Sequence, residues 1–140
     1  MFKRLSDKLE KCRELAILII KEFFIRSDDV SLSIPYFIPV LVERLNADDL
    51  EGVDYLEEKM KPGNTQKAQE MVHIVEKSEQ VRLNIAETVT ILVSSTLFDC
   101  MRPYVDSFVN ICKALCMDPY GDVIIEGTRA IAEFSKAGGD

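Results

Sequence analysis

Asp7-Lys8-Leu9-Glu10-Lys11-Cys12-Arg13 and Glu76-Lys77-Ser78-Glu79-Gln80-Val81-Arg82 are two copies of one phrase: an acid, a five-residue gap ending on an apolar residue, and an arginine. Asp118…Val123-Ile124 repeats the phrase with isoleucine in place of the arginine. A second phrase alternates with the first, because Pro35-Tyr36 and Pro103-Tyr104 each open a stretch with apolar residues at helical spacing. Arg13 and Arg82 are 69 residues apart, Pro35 and Pro103 are 68 apart, and Arg82 and Ile124 are 42 apart. Two independent markers therefore share one register. A two-helix repeat of the HEAT or armadillo type takes roughly 40–47 residues, so the last interval is one repeat and the first is one repeat plus about two dozen residues. The expectation is an all-α chain, an α-solenoid of antiparallel helix pairs with about two and a half repeats, forming a single unit over 1–140 with an insertion at about 46–77.

Working outward, Ser6 is expected to cap a helix running to about Arg26, with Asp7 and Glu10 in its first turn at the positive end of the dipole. From Leu15 to Phe24 that helix is apolar nearly all the way round, which predicts packing on more than one side. After the cap-rich linker Ser27-Asp28-Asp29-Val30-Ser31, Pro35 suits a first helical turn, and Phe37, Val40, Leu41 and Leu45 share one face of a helix ending near Leu45. Pro39 removes an amide donor within it. Pro62-Gly63-Asn64 marks a turn between two short possible helices, Leu50 to Met60 and Thr65 to Val75. Ser78 caps a fresh helix carrying Val81, Ile85, Ala86, Val89 and Leu92, ending near Leu97. Pro103 opens an amphipathic helix with Val105, Phe108, Val109, Cys112, Leu115 and Cys116 on one face. Asp118-Pro119-Tyr120-Gly121-Asp122 turns into a last helix with Val123, Gly127, Ala130, Ile131 and Phe134. Ile124 and Ile125 lie on that helix's opposite side and call for a cover. A solenoid ends in polar capping repeats, so both ends read as cuts in a longer array.

Composition narrows the functional classes. At 140 residues and 47% hydrophobic residues, the chain can bury one modest core. The longest apolar run, Leu15 to Ile20, is far short of the roughly 20 residues a membrane span needs. Met1-Phe2-Lys3-Arg4 is followed at once by acids, unlike a transit peptide. Four cysteines without a secretory leader point to a reducing compartment. The net charge is −7 and no basic stripe is present, which disfavours nucleic acid. Segment 47–78 contributes eight acids against four lysines, concentrating the acidity in the expected insertion.

Catalytic candidates are sparse. His73 is the only histidine, and nothing in the pattern places a nucleophile or carboxylate beside it. Cys112 and Cys116 share a helix face, with Cys100 in the preceding turn, but zinc needs a fourth ligand and the two thiols sit on the apolar stripe. No glycine-rich phosphate loop or catalytic acid pair is present. No catalytic residue, cofactor or metal site is therefore expected. Asp7, Arg13, Glu76, Arg82 and Asp118 are instead expected to form a ladder between neighbouring repeats, each guanidinium fork satisfying carboxylate and carbonyl oxygens at a seam. Ile124 breaks that ladder.

Glu10-Lys11-Cys12-Arg13-Glu14-Leu15, Pro35-Tyr36-Phe37-Ile38-Pro39-Val40-Leu41 and Pro103-Tyr104-Val105-Asp106-Ser107-Phe108-Val109, with Asp118-Pro119-Tyr120, resemble the HEAT-repeat dynein axonemal assembly factors. The resemblance implies a non-enzymatic cytoplasmic scaffold that acts with chaperones to preassemble outer and inner dynein arms before they enter cilia or flagella. It also implies protein partners, dynein chains and co-chaperones among them, with no nucleic acid or membrane. A generic HEAT or armadillo protein-binding module for another cargo, such as tubulin or a transport substrate, keeps the same fold. A small enzyme or metal protein using His73 and the cysteines is the reading from another class.

Overall fold

The computed structural model describes residues 2–47 and 74–138. Much of the acidic segment expected as an insertion, and His73 with it, lies outside the described residues, as do the two short helices expected between Leu50 and Val75. Among the described residues there are helices and turns and no strand. A 3-10 turn, Phe2–Ser6, precedes α1 (Glu10–Arg26). A second such turn, Ser31–Ser33, leads into α2 (Ile34–Leu45). Then follow α3 (Glu79–Ser95), the short α4 (Phe98–Met101), a 3-10 turn Arg102–Tyr104, α5 (Val105–Cys116) and α6 (Gly121–Gly138). None of these helices is long and apolar enough to cross a membrane.

The helices form two rows. In one, α1 lies against α3 and α3 against α6; in the other, α2 lies against α5, and α5 closes on α6. Core residues come from both rows at the spacing a buried helical stripe requires: Ile17, Ile20 and Phe24 from α1, Phe37 and Leu41 from α2, Ile85, Val89 and Leu92 from α3, Phe108, Ile111 and Leu115 from α5. Two aromatic contacts join the rows. Phe24 meets Phe37 edge-on at 5.2 Å, and Phe108 stacks on Phe134 at 6.0 Å.

Short-range signals placed most helix ends. Ser78 Oγ accepts from the Val81 amide at 3.3 Å and caps α3 as its sequence predicts. Asn46 ends α2 in the left-handed region at φ 52°, a conformation asparagine tolerates because its short polar side chain bonds locally.

Three expectations need correction. Ser6 caps nothing: it ends a 3-10 turn, and α1 begins only at Glu10, because the Asp7 carboxylate takes the Leu9 amide at 2.9 Å and holds the chain in a turn. The expected packing of α1 on more than one side holds only in part: α1 meets α3 and the Phe2–Ser6 turn, and its Phe24 meets Phe37 of α2, but the rest of its apolar circumference is uncovered. Ala16, Ile17, Ile20 and Phe24 are buried, but Leu15, Leu18, Ile19 and Phe23 are 41–57% exposed, so the flank that carries them is left bare. Finally, Pro103 sits inside the 3-10 turn Arg102–Tyr104, and α5 starts two residues later.

Gly127 sets the approach of α6 to α5. A Cβ there would lie 2.8 Å from Leu115 Cβ, 3.0 Å from Leu115 C and 3.1 Å from Cys116 N, the last two being backbone that cannot swing aside. Alanine in mid-helix ordinarily gains about 1 kcal/mol over glycine. Here overpacking costs about 1–3 kcal/mol and wins. Gly127→Ala is expected to lower the thermal midpoint of unfolding followed by circular dichroism, whereas Ala132→Gly on the exposed side of α6 should cost only its propensity.

Candidate functional site

The buried polar groups of the described residues concentrate where the acid-to-arginine phrase places them. Each copy opens a helix in the same way. The carboxylates of Asp7, Glu76 and Asp118 accept from the amide two residues on, those of Leu9, Ser78 and Tyr120, at 2.9, 3.1 and 2.9 Å. The helix then starts on the residue after Leu9, Ser78 or Tyr120. Its fourth residue bonds back through its own amide to the carbonyl of Leu9, Ser78 or Tyr120 at 3.1, 3.0 and 3.2 Å. Those fourth residues are Arg13, Arg82 and Ile124.

In the first two copies the arginine does two things. Its Nη1 turns back to the carbonyl of its own acid: Arg13 to Asp7 O at 3.1 Å, Arg82 to Glu76 O at 3.0 Å. Its Nε and Nη2 fork onto the acid of the next copy. Arg13 meets Glu76 at 2.7 and 3.0 Å across 63 residues of sequence, and Arg82 meets Asp118 at 2.6 and 3.1 Å across 36. Bidentate, charge-assisted pairs of this kind are the strong class of hydrogen bond. Arg82 and Glu76 are fully buried, and Asp118 nearly so.

Burial of the Glu76 carboxyl favours its neutral form. Against this, the Arg13 fork, the Ser78 amide and Arg44 all stabilise the carboxylate, and together they hold it below the usual carboxylate range. The bond to Glu76 in turn raises Arg13. Arg44 is the residue that sequence reasoning missed. From the last turn of α2, its Nη2 donates to Glu76 Oε1 at 3.0 Å, and its carbonyl accepts from the Glu76 amide at 2.9 Å. Nothing local in the sequence signals this, because its partner lies beyond a long intervening segment. Asp7 and Ile124 stand at the two margins: the Asp7 carboxylate has Arg4 at 3.5 Å, and Ile124 is partly exposed.

The cysteines do not make a reactive set. Burial pushes the Cys112 thiol up to about 12, so at neutral pH it is protonated and is neither a nucleophile nor a thiolate ligand. Cys116 Sγ lies 3.9 Å from Thr128 Oγ1, and Cys100 is exposed on α4. No group of three or more His, Cys, Asp or Glu side chains among the described residues is placed to hold a metal. Iodoacetamide at about pH 8 is expected to alkylate Cys100 in the folded chain and to reach Cys112 only in denaturant, read by peptide mass spectrometry.

Repeated helix openings joined by buried arginine–carboxylate pairs, with no strand among the described residues, define a helical-repeat protein. The chain belongs to the family described as dynein axonemal assembly factor 5-like, TPR repeats, whose model matches residues 1–60 and 65–139. That match runs through most of the acidic segment that sequence reading set apart as an insertion. Dynein axonemal assembly factor 5 of Xenopus laevis is 28% identical over 135 residues, covering 96% of this chain. The chain spans 13% of the length of that curated relative. No solved structure is significantly similar to it.

Proposed function

We propose that the chain is a non-enzymatic scaffold in the cytoplasmic preassembly of axonemal dynein arms, and so contributes to the motility of cilia or flagella. The observation that carries this reading is the family match across nearly the whole chain. On this reading the helix pairs form a HEAT-like α-solenoid of about two and a half repeats, with the acidic segment at about 46–77 as an elaboration within a single unit. The 42-residue step from Arg82 to Ile124 supports HEAT-like repeats, since a TPR unit takes about 34 residues. Asp7, Arg13, Glu76, Arg82 and Asp118, with Arg44, belong to the seam between repeats: the Arg13–Glu76 and Arg82–Asp118 forks are satisfied within the protein, so these two pairs are structural and partner binding falls to other surfaces of the helices. Stacked repeats present extended surfaces, and the partners proposed are dynein chains and co-chaperones.

Affinity purification of the tagged chain from ciliated cells tests the proposal. Dynein heavy or intermediate chains, or assembly co-chaperones, are expected in the eluate. An eluate with none of them, together with normal dynein arms in electron micrographs of cells lacking the gene, would reject it.

A further inference from the structure

α2 and α5 end alike. Each runs for 12 residues, and each is closed by a cap amide that turns back onto the last turn, Asn46 onto the carbonyls of Val42 and Glu43, Met117 onto those of Lys113, Ala114 and Leu115. In each helix the carbonyl of the eleventh residue accepts the amide of the acid that opens the next copy of the phrase: Arg44 from Glu76 at 2.9 Å, Leu115 from Asp118 at 3.3 Å. That acid then takes the amide two residues on and the fork of the preceding arginine. One set of bonds therefore builds both joints, although 31 residues stand between Arg44 and Glu76 and only two between Leu115 and Asp118. Taking out the excess of 29 shortens the step from Arg13 to Arg82 from 69 residues to 40, beside the 42 from Arg82 to Ile124 and within the roughly 40–47 of a HEAT-type repeat. The two paths part at the cap. Met117 carries the chain onward at φ −102°, whereas Asn46 turns it aside at φ 52°.

We infer that residues 48–73 are spliced into what is otherwise a two-residue turn and take no part in holding the helix rows together. A building block of the array would stand between the pairs on either side of it and offer its own acid to Arg13, since each repeat in a solenoid contacts its neighbours. Arg13 instead reaches past 48–73 to Glu76, and α1 lies directly against α3. Arg44 closes the excursion a second time, its Nη2 donating to Glu76 Oε1 at 3.0 Å, so that backbone and side chain both tie its two ends to each other. Seven acids and three lysines lie in 48–73, a net −4 of the chain's −7. Most of the net charge accordingly serves something other than the fold of the rows. The inference rests on reading the Arg13–Glu76 and Arg82–Asp118 forks as joints between repeats.

The test replaces residues 48–73 of the full chain with a six-residue glycine–serine linker. Residues 44 and 76 are hydrogen-bonded and six residues reach about 20 Å, so the link is not taut. The shortened chain is expected to unfold in one cooperative transition, with a thermal midpoint no more than about 3 °C below that of the full chain, because a shorter closure costs less entropy. Glu76→Gln should lower the midpoint by the same number of degrees in both chains, and the Glu76 amide should stay protected from hydrogen exchange in both. A larger drop on shortening, or unfolding without a cooperative transition, overturns the inference. A shortened chain that no longer responds to Glu76→Gln also overturns it, since the joint would then have been rebuilt from other contacts. Failure of the joint reading itself shows separately at the second joint, where Arg82→Met disturbs a turn of two residues with no excursion in it.

Discussion

Arg82→Met is expected to lower the free energy of unfolding by about 3–5 kcal/mol, because it leaves the nearly buried Asp118 carboxylate without its cation and the Glu76 carbonyl without its donor. In a chain of this length that corresponds to a fall of roughly 10 °C or more in melting temperature. A surface ion pair gives no such effect. Arg26–Glu22, with both partners largely exposed, should change stability by less than about 1 kcal/mol when either is removed. The decisive comparison is the double variant. Asp118→Leu alone should also be costly, since it strands the fully buried Arg82. Arg82→Met with Asp118→Leu removes both charges, and hydrophobic replacement of a whole buried pair is often neutral. The cycle should therefore show a large favourable coupling in urea or thermal unfolding. Additive losses would mean that the two side chains act separately and that the pair is not a joint.

How far this joint was legible in the sequence depends on which half of it one considers. The phrase itself could be read: an acid, then six residues on an arginine at the fourth position of a helix, is a local pattern, and local geometry makes it recur. That Arg13 faces Glu76 and Arg82 faces Asp118 also follows once the register is known, because neighbouring copies must meet. Arg44 could not be read. It reaches Glu76 only because α2 happens to end beside the α3 opening, which no periodicity encodes. The faces of α1 show the same limit from the other side. Its apolar residues run nearly all round, and composition does not distinguish a flank buried against α3 from a flank left bare, since both carry the same kind of side chain. Ser6 failed for a simpler reason: the Asp7 carboxylate, one residue on, competes for the turn and delays the helix.

Glu76→Ala is expected to be at least as damaging as Arg82→Met, about 3–5 kcal/mol, because one carboxylate answers two cations. Its loss leaves Arg13 and Arg44 facing each other across a buried cavity, with side chains only 12% and 11% exposed, and leaves the Ser78 amide without its acceptor at the start of α3. Like charges at that distance repel in a medium that screens them poorly. Glu76→Gln separates charge from shape, since it keeps an acceptor for one donor and removes the negative charge. The pH dependence then has a definite sign. The folded carboxyl titrates below its ordinary value of 4.5, so its contribution is fully present above that value and is lost as the pH falls through the lower folded one. The gap in unfolding free energy between wild type and Glu76→Gln should accordingly be flat from neutral pH down to about pH 5 and narrow below it. Urea unfolding at a series of pH values measures this. A gap that instead widens towards acid would place the folded carboxyl above 4.5, and burial rather than the two arginines would then dominate its charge state.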